Sequence, residues 1–181
     1  MTADDKINEA EYNFEKLKIH NFSDNKIRYD IRYEISNFLS SAQSIIYHML
    51  EDYNQKLGFN IKRIDIKFFV NLPKNTDDEK LIDFSKWFSK WYDKIKGNPD
   101  CGFLINMRNV NVNKKTVRIS SAVTTTSTSY VSAFRKKQVK VSHGTGIWWG
   151  FNENPDYDVE SICEMYLSLL KKMVNDAKRT F

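Results

Sequence analysis

The chain has 181 residues, of which 41% are apolar and 28% charged, with 12 Phe, 9 Tyr and 4 Trp; this suits one folded domain spanning 1–181 and excludes an intrinsically disordered chain. Its 28 Lys and Arg against 23 Asp and Glu leave a net charge of +5, but the basic residues are spread along the chain, so nucleic acid is permitted as a partner without being indicated. Six Gly and three Pro are few for this length and argue for long helices over a many-stranded barrel, so the expected class is mainly α.

Between Asp4 and His20, the apolar residues Ile7, Ala10, Phe14 and Leu17 recur three and four apart, which predicts an amphipathic helix. After a polar break in which Ser23 or Asp24 can cap, Ile31, Ile35, Phe38, Leu39, Ala42, Ile45, Ile46, Met49, Leu50, Tyr53 and Leu57 form a second stripe ended by Gly58. That spacing predicts a central helix from about Arg28 to Leu57. From Phe59 to Lys74, Ile61, Ile64, Ile66, Phe68 and Phe69 fit neither period, and Pro73 closes an irregular, partly helical connection. Thr76, with Glu79 three residues on, reads as the N-cap of an aromatic helix carrying Leu81, Phe84, Trp87, Phe88, Trp91, Tyr92 and Ile95 and stopping before Gly97. Asn98 and Pro99 then read as N-cap and first residue of a shorter helix with Phe103, Leu104, Met107 and Val110 inward.

The texture changes after Val117. Nine of the thirteen residues from Ser120 to Ser132 are Ser or Thr, and β-branched residues replace helix formers, so a β-hairpin-like or irregular excursion is expected over about 115–153. Asn154, Pro155 and Asp156 punctuate the chain before a last helix whose stripe runs from Val159 to Ala177.

Several residue groups invite a functional reading. Cys101 and Cys163 lack CxxC spacing and only His20, His48 and His143 could join them, which speaks against a zinc or iron site and leaves no metal or other cofactor implied. No window approaches the roughly 20 apolar residues of a spanning helix, and MTADDKINEA is unlike a signal peptide, so a cytoplasmic protein without membrane association is expected. His143-Gly-Thr-Gly-Ile-Trp-Trp-Gly fails both the dinucleotide and the P-loop spacings; Gly144 to Gly146 reads as a hairpin turn. The stripe from Phe84 to Tyr92 has core spacing. Trp148 and Trp149, adjacent on a strand, would face opposite ways and form a candidate partner surface. Arg135, Lys136 and Lys137 stand where acids are few and are candidates for phosphate contact. No hydrolase triad is present, and His48 lies within an apolar stripe.

The segment Arg32-Tyr33-Glu34-Ile35-Ser36-Asn37-Phe38-Leu39-Ser40-Ser41-Ala42-Gln43-Ser44, with Trp91-Tyr92 and Arg108-Asn109-Val110-Asn111-Val112-Asn113, resembles an uncharacterised bacterial and archaeal branch of the HEPN superfamily. These are the higher eukaryote and prokaryote nucleotide-binding helical domains, and the branch pattern is RYELSAFLSAARS, WY and RN followed by a histidine. The resemblance implies an up-and-down helical bundle that pairs into a homodimer. In active members an arginine-polar pair and a histidine cleave RNA without metal. Arg108 and Asn109 match the pair. Asn113 stands in the histidine position and Gln43 replaces an arginine, and both departures point away from catalysis. A carboxamide cannot exchange a proton near pH 7 as imidazole does, whereas the Arg108 guanidinium still suits a phosphate. Alternatively Arg108 ties the helix end to a carboxylate or carbonyl. His143 is a remote substitute for the missing histidine. The expectation is an RNA- or nucleotide-binding or regulatory protein without ribonuclease activity, in a stress or defence setting. The alternatives are an active metal-independent endonuclease using Arg108, and a purely structural dimerisation module.

Overall fold

The computed structural model describes residues 1–19, 27–72, 76–112, 119–127, 143–151 and 154–181, and within these the side chains of 1–18, 33–72, 76–106 and 158–181. The protein is mainly α: six helices and three strands make up its elements among the described residues.

Helix α1 (Ala3–Ile19) starts at a capping box. The Thr2 hydroxyl accepts the Asp5 N–H at 3.3 Å, while the Asp5 carboxylate accepts the Thr2 N–H at 2.7 Å. Its predicted stripe, Ile7, Ala10, Phe14 and Leu17, is buried throughout. Helix α2 (Ile27–Leu57) is the predicted central helix, 31 residues long. Ile35, Phe38, Leu39, Ala42, Ile45, Ile46, Met49, Leu50 and Tyr53 are all buried, each large aliphatic contributing about 1.5–3 kcal/mol. Gly58 ends it with φ +73, a left-handed conformation that glycine adopts without steric penalty. The caps expected at Ser23 or Asp24 lie outside the described residues.

The irregular connection holds one short helix, α3 (Ile66–Val70), capped by Asp65, whose carboxylate accepts the Lys67 N–H at 2.9 Å. Asn54 fixes the approach to it, donating to the Ile61 carbonyl at 3.1 Å and accepting the Ile61 N–H at 3.0 Å. Helix α4 (Glu79–Gly97) begins two residues later than Thr76 predicts, because the Asp78 carboxylate is the cap, accepting the Leu81 N–H at 3.1 Å. A carboxylate also complements the positive end of the helix dipole. Gly97 is the last residue of α4 instead of lying beyond it.

Asn98 separates α4 from α5 (Pro99–Val112), and its side-chain oxygen accepts the N–H groups of Asp100 and Cys101 at 3.0 and 3.1 Å. The cap-plus-proline expectation holds. The inward face differs in part: Cys101, Leu104 and Ile105 are buried and Phe103 is half-buried, while the side chains of Met107 and Val110 are outside the described ones. Asp158 caps the last helix, α6 (Val159–Thr180), accepting the Ser161 N–H at 2.8 Å.

Paired contacts give the helix directions. Ala3 donates to Asp52, Asn13 to Ser41, and the Phe14 ring lies 5.8 Å from Phe38, so α2 numbers fall as α1 numbers rise. Asp4 meets Lys178 and Glu11 meets Lys171; Trp87 meets Asp176 and Asn98 meets Met165. Helices α1 and α4 therefore run against α2 and α6, an up-and-down arrangement. The core fills the space between them, with Phe84 and Phe88 of α4 and Tyr166, Leu170 and Met173 of α6 fully or almost fully buried.

Between α5 and α6, β1 (Ile119–Ser127) pairs antiparallel with β2 (His143–Phe151), and β3 (Asn154–Asp158) pairs with the end of β2, giving the order β1-β2-β3. Residues 113–118, 128–142 and 152–153 of the expected excursion, and with them any hairpin turn, are outside the described residues. Gly144 and Gly146 are not a turn: they sit within β2 opposite Thr126 and Thr124, where threonine's β-branched pairing partners extend the ladder through them.

Candidate functional site

Helix α5 carries the Arg-Asn pair, and its first turns are firmly held. Beyond the Asn98 cap, a Cβ at Gly102 would lie 2.7 Å from the Lys96 carbonyl oxygen, so only glycine lets α5 pass so close to the end of α4. Cys101, Leu104 and Ile105 then anchor the helix in the core. Arg108 and Asn109 follow Leu104 and Ile105 by four residues each, one helical turn on, in the last part of α5. Their side chains are outside the described ones. Asn113 lies just past the helix, outside the described residues, as do Arg135, Lys136 and Lys137. His143 opens β2 opposite Ser127, and the described residues bring none of these candidates together. Gln43 is buried in α2 at 9% exposure.

Among the described residues, the two cysteines are held quiet. Burial, and secondarily Asp100, pushes the Cys101 thiol up to about 11. Burial together with Asp158 and Glu160 raises Cys163 further. Neither is a thiolate nucleophile near pH 7. His48 is half-buried, its Nδ1 without a hydrogen-bond partner and 3.9 Å from Glu51, and no nucleophile adjoins it among the contacts described. The described residues contain no group of three His, Cys, Asp or Glu that could hold a metal, and no helix long and apolar enough to cross a membrane.

Among the described residues, two grooves open on the helices. One of about 550 Å³ runs between α1 and α6 over Phe14 and Leu167, its walls balanced between Glu11, Glu15, Glu164 and Lys18, Lys171, Lys172. The other, of about 500 Å³, lies between α3 and α4 over Phe69, Leu72 and Ile82. The Ser85 hydroxyl that borders it has no partner but is itself sealed from solvent, so it offers nothing for a ligand to touch.

Dividing the charge by element reveals what the whole-chain balance hides. Between Asp100 and Glu153 the chain has eight Lys and Arg and no Asp or Glu, while the other 129 residues carry 20 basic against 23 acidic. The positive charge is therefore not spread evenly but gathered between the middle of α5 and β3. Lys114, Lys115, Arg118 and Lys140 join Arg108 and Arg135 to Lys137 in that stretch. The signal was a charge count per segment, the measure by which basic patches are recognised. Comparison with protein-family profiles, with curated proteins and with solved structures finds no match for this chain.

Proposed function

We propose that this chain is a HEPN-like helical module, homodimeric and cytoplasmic, that binds RNA or a nucleotide through the segment from Arg108 to Lys140 and does not cleave it. The observation that carries this reading is the acid-free stretch of 52 residues with eight cations, set in a chain whose remainder is net negative. Phosphate backbones are bound chiefly by such uncompensated cations, through release of condensed counterions. The end of α5 itself presents carbonyls rather than N–H groups, so phosphate recognition there comes from the Arg108 guanidinium and its forked donors. Asn113 supports binding without turnover, because its carboxamide hydrogen-bonds but does not titrate.

Anisotropy of a labelled RNA in chelator, read over a salt series, tests this. Affinity is expected to fall steeply with salt, and changing Arg135, Lys136 and Lys137 together to Gln is expected to flatten the log–log slope by about 2, at about 0.7 per lost single-strand phosphate contact. RNA shortening in chelator that depends on Arg108 would establish the endonuclease alternative. A dimer that binds no RNA or nucleotide at any salt would establish the structural module.

A further inference from the structure

We infer that the exposed seam where α4 meets α6 is a second contact surface for RNA, a row of cations that takes phosphates of the strand; the inference rests on the RNA-binding reading above. Lys86, Lys90 and Lys94 stand four residues apart on α4 and are all exposed, which sets them about 6 Å apart along one side of the helix. Trp87 and Trp91, on the flank of the same turns, give their indole N–H groups to Asp176, so α6 lies alongside at that level. Lys172 and Arg179, both exposed, fall one turn before and one turn after Asp176 on α6. After the two indoles, Arg179 and Lys90 also help to hold the Asp176 carboxyl low. Five cations therefore gather around one carboxylate, whose Oδ2 already accepts two N–H groups.

The protein pairs its cations elsewhere and leaves these without partners. On the side of α6 that faces α1, Lys171 meets Glu11, and Lys178 meets Asp4 at 2.6 Å. In the seam, Lys90, Lys94, Lys172 and Arg179 join no ion pair among the described residues. Lys86 reaches Asp83 at 3.9 Å with the two side chains 74% and 73% exposed, a pair worth little in water. Asp93, the other acid on this part of α4, joins no ion pair among the described residues either. Like charges one turn apart work against a helix, and the helix dipole accounts only for Lys94 and Arg179, which lie in last turns. Lys86, Lys90 and Lys172 bring the fold no such return.

The occupant follows from the chemistry of the row. Lysine is depleted where proteins meet proteins, so a lysine row is a poor docking face for another chain. A membrane surface needs apolar side chains to insert, and the exposed large apolar residues among the described ones are Met1, Tyr12 and Tyr33, none of them on α4 or α6. A phosphate strand requires neither. Unpaired cations hold it through counterion release, and lysine meets phosphate as a point charge that needs no fixed geometry.

Anisotropy of a labelled single-stranded RNA over a salt series, in chelator, tests this on four proteins. They are the wild type, Lys86, Lys90 and Lys94 changed together to Gln, the same three changed to Arg, and the triple Gln variant at Arg135, Lys136 and Lys137. The Gln variant of the seam is expected to flatten the log–log slope by about 2, at about 0.7 per lost phosphate contact, and the Arg variant to keep the wild-type slope. Acetylation of the complex, read by mass spectrometry, is expected to find Lys86, Lys90 and Lys94 protected by RNA. A wild-type slope in the Gln variant of the seam overturns the inference and leaves the segment from Arg108 to Lys140 as the binding surface. A slope reduced alike by Gln and by Arg also overturns it, by showing that charge is not what the seam supplies. A slope flattened by the seam variant and unchanged in the variant at 135–137 upholds the seam and overturns the segment instead. Retention on phosphatidylserine vesicles that the Gln variant loses while keeping its RNA slope overturns the inference in favour of a membrane surface. No binding of RNA by the wild type overturns both readings together.

Discussion

The Asp176 carboxylate on α6 accepts the indole N–H of Trp91 on α4 at 2.7 Å, and the same oxygen takes Trp87, one turn earlier on α4, at 2.8 Å. A single anion thus clamps two helices that meet antiparallel. These two bonds, Trp87 first, hold the Asp176 carboxyl below the usual carboxylate range. A depressed carboxylate stabilises the fold wherever the group is ionised in both states, and that contribution is lost as pH falls below the unfolded value of about 3.9 towards the folded one. Asp176→Asn is therefore expected to unfold at a lower temperature than the wild type by a constant margin from pH 7 to pH 5. The margin should shrink below about pH 4. Thermal unfolding across that range checks it; a margin that persists undiminished in acid would assign the effect to packing instead.

Three glycines should respond to alanine in three ways. At Gly97 a Cβ meets nothing within 4 Å and the backbone is helical, so Gly97→Ala should stabilise by up to about 1 kcal/mol. At Gly102 the same change drives a Cβ to 2.7 Å from the Lys96 carbonyl, a backbone atom that cannot swing aside; the expected cost is about 1–3 kcal/mol despite the better helix propensity. Gly58 has open space but φ +73, and left-handed alanine costs about 1–2 kcal/mol. Urea denaturation of the three variants should rank Gly97→Ala above the wild type and the other two below it.

What the sequence showed and hid follows from the range of each interaction. The α2 stripe and the Asn98-Pro99 start are local patterns, repeated or carried on adjacent residues, and both hold in the structure. Between Phe59 and Lys74 the pattern fails because α3 is only five residues long, too short to express a period. Its position depends on Asn54, seven residues before the Ile61 backbone it binds. The cap falls at Asp78 and not at Thr76, since both types cap helices and propensity separates them weakly. The Trp87–Asp176 bond spans 89 residues and leaves no local trace. For the site, Arg108, Asn109 and Asn113 are legible as a linear motif, but what surrounds them is set by tertiary placement. The charge segregation was present in the sequence and was masked by averaging over the whole chain.

Phe84 is the junction of the aromatic core. It is fully buried, and its ring lies 5.3–5.7 Å from those of Tyr53, Phe59, Phe69, Trp87 and Phe181. Those five rings come from α2, the connection after it, α3, α4 and the C-terminal residue, so a cavity at Phe84 loosens all of them together. Phe84→Ala is expected to cost about 3–5 kcal/mol, a large share of the stability of a domain. Phe84→Leu should cost markedly less, since most of the volume remains. Equilibrium denaturation gives both values, and equal losses would show that the cluster acts through ring geometry rather than volume.

The last prediction concerns chemistry at the end of α5. Cleaving RNA through its own 2′-hydroxyl needs a group that exchanges a proton near neutral pH, and Asn113 cannot. The unmodified protein is therefore expected to leave labelled RNA intact in chelator. Asn113→His is expected to introduce cleavage, and Arg108→Ala in that background to abolish it. The gain requires that position 113 come within hydrogen-bond reach of the scissile phosphate held by Arg108, since general acid–base catalysis contributes about 10²–10⁴-fold only at that range. It also requires that Gln43, the second departure from the active pattern, be tolerated. A revertant rate with a bell-shaped dependence centred near the imidazole range would identify the new histidine as the proton-transfer group. Cleavage by the unmodified protein in chelator, lost in Arg108→Ala but kept in Asn113→Ala, would overturn the inactive reading and make His143 the residue to replace next.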